Sequence, residues 1–328
     1  KKKTIFYDNA LIKVYNIPIF YAPKLSHPDP SVDRRSGFLL PRFSDSKNLG
    51  SGITIPYYLA INKDKDFTFR NNFYLNENPL FGGEYRQAFK NSNLNLDMGY
   101  TQGYKKTNTL KKSGNKSHFF SNFISNFRGE NNSENVFKLK TQNVSNDKYL
   151  KLYRIKTDLV DYNQDILENY LDFSHSNEDL FFSSNFTIYE NLKENYNDKY
   201  EYIFPDISVD KNLFDNDVLG SLGLQSNLRI NNYDTNKTAK FFINDFNWRL
   251  KEHFFDNGLK GQLIGKFKNF NYETKNIESF KQEPTSEIFG AIGYLAEIDL
   301  IKKNQKNNSE SLLSPKILFR HSPGNIRK

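Results

Sequence analysis

The residues of this chain best suited to chemistry do not assemble into a reaction centre. Its five histidines, His27, His118, His175, His253 and His321, are scattered, and none sits in H-E-x-x-H or another metal-binding spacing. Gly261–Lys266 (GQLIGK) is one residue short between its glycines for a phosphate loop, and no Ser or Thr follows its lysine. There is no G-x-S-x-G elbow. There is also no cysteine, which removes thiol nucleophiles, thiolate metal sites and disulfides. No catalysis, metal or cofactor is expected. What remains is a set of separate charges, Glu84, Arg86, Asp97, Arg229 and Asp245, each embedded in an alternating apolar segment. A charge facing a water-filled interior costs little. These five are therefore candidate lumen charges, and a plain hydrated wall accounts for them equally well.

The elements that carry them have a period of two. In Ile53–Asn62, Ile53, Ile55, Tyr57, Leu59 and Ile61 share one face. Phe67, Phe69, Phe73 and Leu75 do so in Asp66–Leu75, as do Phe81, Tyr85 and Phe89 in Phe81–Phe89 and Leu94, Leu96, Met98 and Tyr100 just after. The pattern returns around Leu222–Ile230, Phe242–Trp248 and Ile288–Leu300. Successive strand side chains point to opposite faces, so each segment has one apolar and one polar face. Two architectures follow. A soluble sandwich or barrel turns the apolar face inward; a transmembrane barrel turns it to lipid around a polar lumen. Segments of about 9–12 residues, charged polar faces and aromatics near strand ends favour the second. Gly103–Ser117, Val160–Glu178 and Lys302–Ser311 read as long polar loops, in contrast to short turns such as Asn62–Lys65.

Composition agrees with strands exposed to two media. Only 37% of residues are hydrophobic, yet 16% are aromatic, which fits neither a disordered chain nor a helical membrane protein. The net charge of +8 and pI near 9.2 raise nucleic acid as a partner, but acids interleave with the bases and no RNP-like block occurs. Nucleic-acid binding is not expected. The chain opens on Lys1-Lys2-Lys3 without a Met or a signal peptide, and is read as a piece that begins within a longer protein.

Particular blocks then carry a resemblance. Pro18–Pro23 reads P-x-F-Y-x-P, Arg34–Pro41 reads R-x-S-G-F-L-x-P, Pro56–Tyr58 reads P-Y-Y and Glu84–Arg86 reads E-Y-R. Ser145–Tyr153, Tyr202–Val209 and Leu313–Arg327 continue the series in order. This succession resembles the LptD family of outer-membrane LPS-assembly proteins (the organic-solvent-tolerance family). One departure is Leu59, where the family has Trp.

The resemblance implies an all-β fold: an antiparallel transmembrane β-barrel, incomplete, of about 15 meander strands, preceded by the last strands of a periplasmic β-jellyroll. Residues 1–36 would end the jellyroll and form the hinge, with His27-Pro28-Asp29-Pro30 too proline-rich for a regular strand. Residues 37–328 would form the N-terminal part of the barrel. The implied function is lipopolysaccharide (LPS) transport and insertion into the outer leaflet of a Gram-negative outer membrane, through a laterally gated barrel. Pro41 and Pro56 would loosen the lateral gate, since proline has no N–H for the ladder; strand starts or bulges are the plain alternative. Ile17, Ile19 and Tyr21 would line the lipid groove, unless they are ordinary core. The implied partners are LPS, outer-membrane lipids, a lipoprotein plug (LptE) and a periplasmic bridge (LptA). A generic outer-membrane channel or receptor, or a soluble β-sheet binding protein, are the competing readings.

Overall fold

The computed structural model describes residues 4–14, 16–29, 34–102, 114–194, 198–234, 236–304 and 309–324. Two compact units divide the chain: Lys1–Ser125 with Leu139–Asn169, and Asn126–Lys138 with Tyr170–Lys328.

In the first unit, β1 (Thr4–Val14) and β2 (Ile17–Pro28) form a separate two-stranded ribbon. Then come β3 (Gly37–Phe38), β4 (Arg42–Ser46), β5 (Gly50–Ala60), β6 (Lys65–Tyr74), β7 (Leu80–Ala88), β8 (Ser92–Thr101) and β9 (Lys116–Arg128). β10 (Glu134–Val144), a one-turn helix α1 (Tyr149–Tyr153) and β11 (Ile166–Ser176) follow, and the unit boundaries fall within β9, β10 and β11, with Asn126–Lys138 and the stretch of β11 from Tyr170 in the second unit. The second unit holds β12 (Leu180–Asn191), β13 (Tyr200–Asn216), β14 (Gly220–Tyr233), β15 (Lys237–Arg249), β16 (His253–Phe254), β17 (Leu259–Lys275), β18 (Thr285–Ile298), β19 (Leu300–Asn304), β20 (Ser309–Leu313) and β21 (Lys316–His321).

Seventeen strands belong to one antiparallel sheet in meander order, and β19 and β20 make a second small ribbon. β3 and β4 both pair with β5, and β15 and β16 both pair with β17. The all-β, barrel-like class read from the alternation is the class observed. Apart from the two-residue β16, the strands from β5 to β18 have 9 to 17 residues, which meets or exceeds the ~9–11 residues that cross a bilayer at a tilt. No helix among the described residues is long and apolar enough to cross a membrane, which says nothing of strands.

Three local expectations differ from what is seen. β2 runs on through His27 to Pro28, which lies opposite Thr4, because a terminal proline of a two-stranded ribbon can forgo its ladder bond. Most of Val160–Glu178 is β11, whose acids find cross-strand lysines: Lys140 to Glu168 at 2.8 Å and Lys138 to Asp172 at 3.3 Å. Lys302–Ser311 belongs largely to the β19–β20 ribbon. Of the Gly103–Ser117 loop, residues 103–113 lie outside the described residues.

The most deeply buried large side chains among the described residues lie in the first unit. Tyr149, Leu150, Leu80, Phe120 and Leu167 are fully buried there, together with Asp66 and Asp97.

Candidate functional site

The register of β5 to β9 sets the site. Ala60, Asp66 and Arg86 lie side by side, as do Pro56, Arg70 and Gly82; Glu84 lies opposite Asp97, and Gly99 opposite His118. Alternation puts Thr54, Pro56, Tyr58, Asp66, Arg70, Glu84, Arg86, Asp97 and His118 on one sheet face. The other face carries Phe69, Phe73, Phe81, Tyr100 and Phe119, all exposed at 40–51%.

On the polar face the charges are paired rather than free. Asp97, 0% exposed, accepts from Arg70 Nη2 at one carboxylate oxygen and meets His118 Nε2 at 2.7 Å with the other. Asp66, 1% exposed, accepts from Arg86 Nε at 2.9 Å and from the Tyr58 hydroxyl at 3.3 Å, with Arg34 Nη2 at 3.5 Å. A buried carboxylate without such partners is strongly disfavoured. Glu84 sits between these clusters, half-buried. Arg86 and Asp97 thus hold structural ion pairs, which a merely hydrated wall does not require. Arg229 and Asp245 belong to the other unit, with partners Asp206 at 3.9 Å and Lys268 at 3.2 Å.

The segment after β10 folds onto this face. Asn146 opens it with an Asx turn to Lys148 N–H, and α1 ends at Arg154, whose φ of 49° and ψ of 48° are left-handed. Tyr149 Oη lies 2.8 Å from His118 Nδ1. With Nε2–H donating to Asp97, Nδ1 is the atom left to accept from the tyrosine hydroxyl. Burial pushes the Tyr149 hydroxyl well above its ordinary pKa, so it stays protonated. Tyr153 packs on Tyr149 and Tyr74 with ring centroids 5.2 and 5.9 Å apart. The far end is tied by Gln142, whose Nε2 donates to Leu159 O at 2.7 Å and whose Oε1 accepts from Glu168 N at 2.9 Å. Between α1, β4, β5 and β6 remains a cavity of about 310 Å³ that Arg42, Arg70, Asn72, Tyr74, Arg154 and Lys156 help to line.

Pro41 and Pro56 lie at one interruption of the ladder between neighbouring strands. Residues 39–41 separate β3 from β4, and Pro56 lies in β5 opposite that interruption, its carbonyl accepting from Leu39 N at 2.9 Å. Two residues without an N–H thus fall within one broken stretch between the first and second strands, with Leu39 rather than Pro41 opposite Pro56. Tyr21 is exposed and donates to Asn9 Oδ1 across the β1–β2 ribbon at 2.6 Å; the side chains of Ile17 and Ile19 lie outside the described residues. Asp66, Arg70, His118 and Tyr149 were not singled out from sequence as site residues. Only their shared face in a correct register brings them together. Among the described residues no group of three or more His, Asp or Glu could hold a metal ion.

No family model matches the chain. Curated relatives do match. The chain is 35% identical over 91 residues to the LPS-assembly protein LptD of Methylococcus capsulatus, 36% over 83 residues to that of Psychrobacter cryohalolentis and 37% over 92 residues to that of Shewanella oneidensis. These matches cover 25–27% of this chain and 8–12% of each relative.

Proposed function

We propose that this chain is a member of the LptD family of LPS-assembly proteins and that it serves LPS transport and assembly at the outer membrane of a Gram-negative bacterium. Its strands cross the outer membrane, with the N-terminal ribbon on the periplasmic side. The observation that carries this reading is an inverted burial. On the same strands β6 to β9, Phe69, Phe81 and Phe119 are exposed while Asp66, Asp97 and His118 are buried. A water-soluble sheet hides the aromatic face; a membrane sheet presents it to lipid and keeps its charges on the inner side.

The finer part of the proposal is a lateral exit. The ladder interruption between Pro41 and Pro56 supports a weakened first strand, beside which lipid acyl chains leave for the membrane while the sugars travel along the polar face. LPS is the cargo. A lipoprotein plug and a periplasmic bridge, LptE and LptA, are the partners that the family resemblance brings. The reading is of transport and assembly rather than catalysis.

The test is a Pro41→Ala, Pro56→Ala double variant of the full-length protein as the sole cellular copy. Restored N–H groups should strengthen β4–β5 pairing and slow LPS arrival at the cell surface. Unchanged arrival at equal protein levels would remove the gate from the proposal.

A further inference from the structure

The cavity beneath α1 has a charge imbalance that the ion-pair networks do not explain. Four cations line it: Arg42, Arg70, Arg154 and Lys156. Two are occupied, Arg70 by Asp97 and Lys156 by Asp161 at 3.2 Å. Arg42 and Arg154 have no ion pair or side-chain hydrogen bond among the described residues. The one acidic residue of the lining, Asp45, accepts the Ser51 hydroxyl at 3.0 Å. Two exposed arginines therefore line one pocket with a single carboxylate.

Arg154 adds a second, independent observation. It occupies the left-handed position that closes α1, a place where glycine is usual because a side chain costs conformational energy there. A charged, unpaired side chain kept at a strained position beside a cavity points to a use for that charge. Arg42 supplies the other half. It is the first residue of β4, next to Pro41, and it shares the sheet face of Thr54 and Arg70.

We propose that this cavity seats one phosphate-class anion between Arg42 and Arg154. Guanidinium forks suit tetrahedral oxyanions, which they bind bidentately. Occupancy would fasten the inward segment, through Arg154, to the first strand, through Arg42, on the strand side of the proline interruption. The seat stands on charge and geometry alone, whether the phosphate is free or carried by a lipid.

Full-length protein in detergent micelles provides the test, with backbone hydrogen exchange over residues 150–157 as the readout. One arm adds inorganic phosphate and a second adds micelles doped with a phosphorylated glycolipid, both against chloride at matched ionic strength. Phosphate from at least one source should slow exchange, and the arm that does so assigns the source. Arg42→Gln and Arg154→Gly should each raise the half-effect concentration about tenfold. Arg154→Gly relieves the left-handed strain, so misfolding does not explain its loss. Lys63→Gln, in a turn away from the cavity lining, should respond like wild type. Equal protection of wild type and both arginine variants, or no protection of wild type by either source, overturns the seat.

Discussion

The imidazole of His118 meets the Tyr149 hydroxyl at 2.8 Å, and through it the inward helix α1 is fastened to the sheet wall. The same ring reaches Asp97 with its other nitrogen at 2.7 Å and stacks on Phe120 with centroids 4.7 Å apart. Tyr149→Phe keeps the ring but leaves His118 Nδ1 unsatisfied in a buried site, a loss of about 1–3 kcal/mol. Hydrogen exchange across residues 146–161 should accelerate, while exchange in β6 and β7 should change little. Uniform acceleration throughout the sheet would mean that the contact supports the wall rather than docking the segment.

Gly99 is required by proximity rather than by backbone freedom. A Cβ there would stand 2.3 Å from His118 Cε1. The ring is pinned by Asp97, Tyr149 and Phe120, so it cannot simply swing aside. Gly99→Ala should therefore destabilise by about 1–3 kcal/mol through overpacking and loosen α1 as Tyr149→Phe does. The double variant should cost less than the sum of the singles, because both act through His118. Additive losses, measured by denaturant unfolding in micelles, would separate the two effects.

Much of the sheet was legible from period-two alternation. Asp66–Leu75 was expected and Lys65–Tyr74 is the strand; Phe81–Phe89 was expected and Leu80–Ala88 is the strand. Alternation also puts Glu84, Arg86 and Asp97 on one face. It does not say which charge lies opposite which, because register depends on turn geometry and on strand ends shifted by single residues. Asp97 therefore read as a wall charge, and its partners Arg70 and His118 stayed unseen. The fold-back of residues 145–165 had no periodic signal, since α1 is one turn long. β11 was hidden for a different reason. Glu168 and Asp172 look like loop residues until Lys140 and Lys138 are placed beside them.

Asp299, just after β18, has its carboxyl held below the ordinary value, first by the Lys260 ammonium and then by the Ser314 hydroxyl. A carboxyl lowered in the folded state stabilises above its unfolded value, and that contribution is lost as pH falls through the folded value. The tie between Asp299 and Ser314, just after β20, should thus be intact at pH 5 and weaken only below the usual aspartate range. A carbon-detected NMR titration of Asp299 checks this. Lys260→Gln should move its midpoint upward, and a midpoint unmoved by that change would contradict the assignment.

On the proposed function, the aromatic face of β6 to β9 meets lipid while the charged face does not. This chain has no cysteine, so labels placed within it have no background once any cysteine elsewhere in the full-length protein is changed to Ser. Nitroxides at Phe69→Cys and at Glu84→Cys, in the full-length protein reconstituted in bilayers, compare the two faces directly. Collisional relaxation by lipid-soluble oxygen should dominate at position 69, and relaxation by a water-soluble nickel chelate, relative to oxygen, should be greater at position 84. Preferential access of the chelate to position 69 would contradict the membrane reading and return the chain to the water-soluble β class.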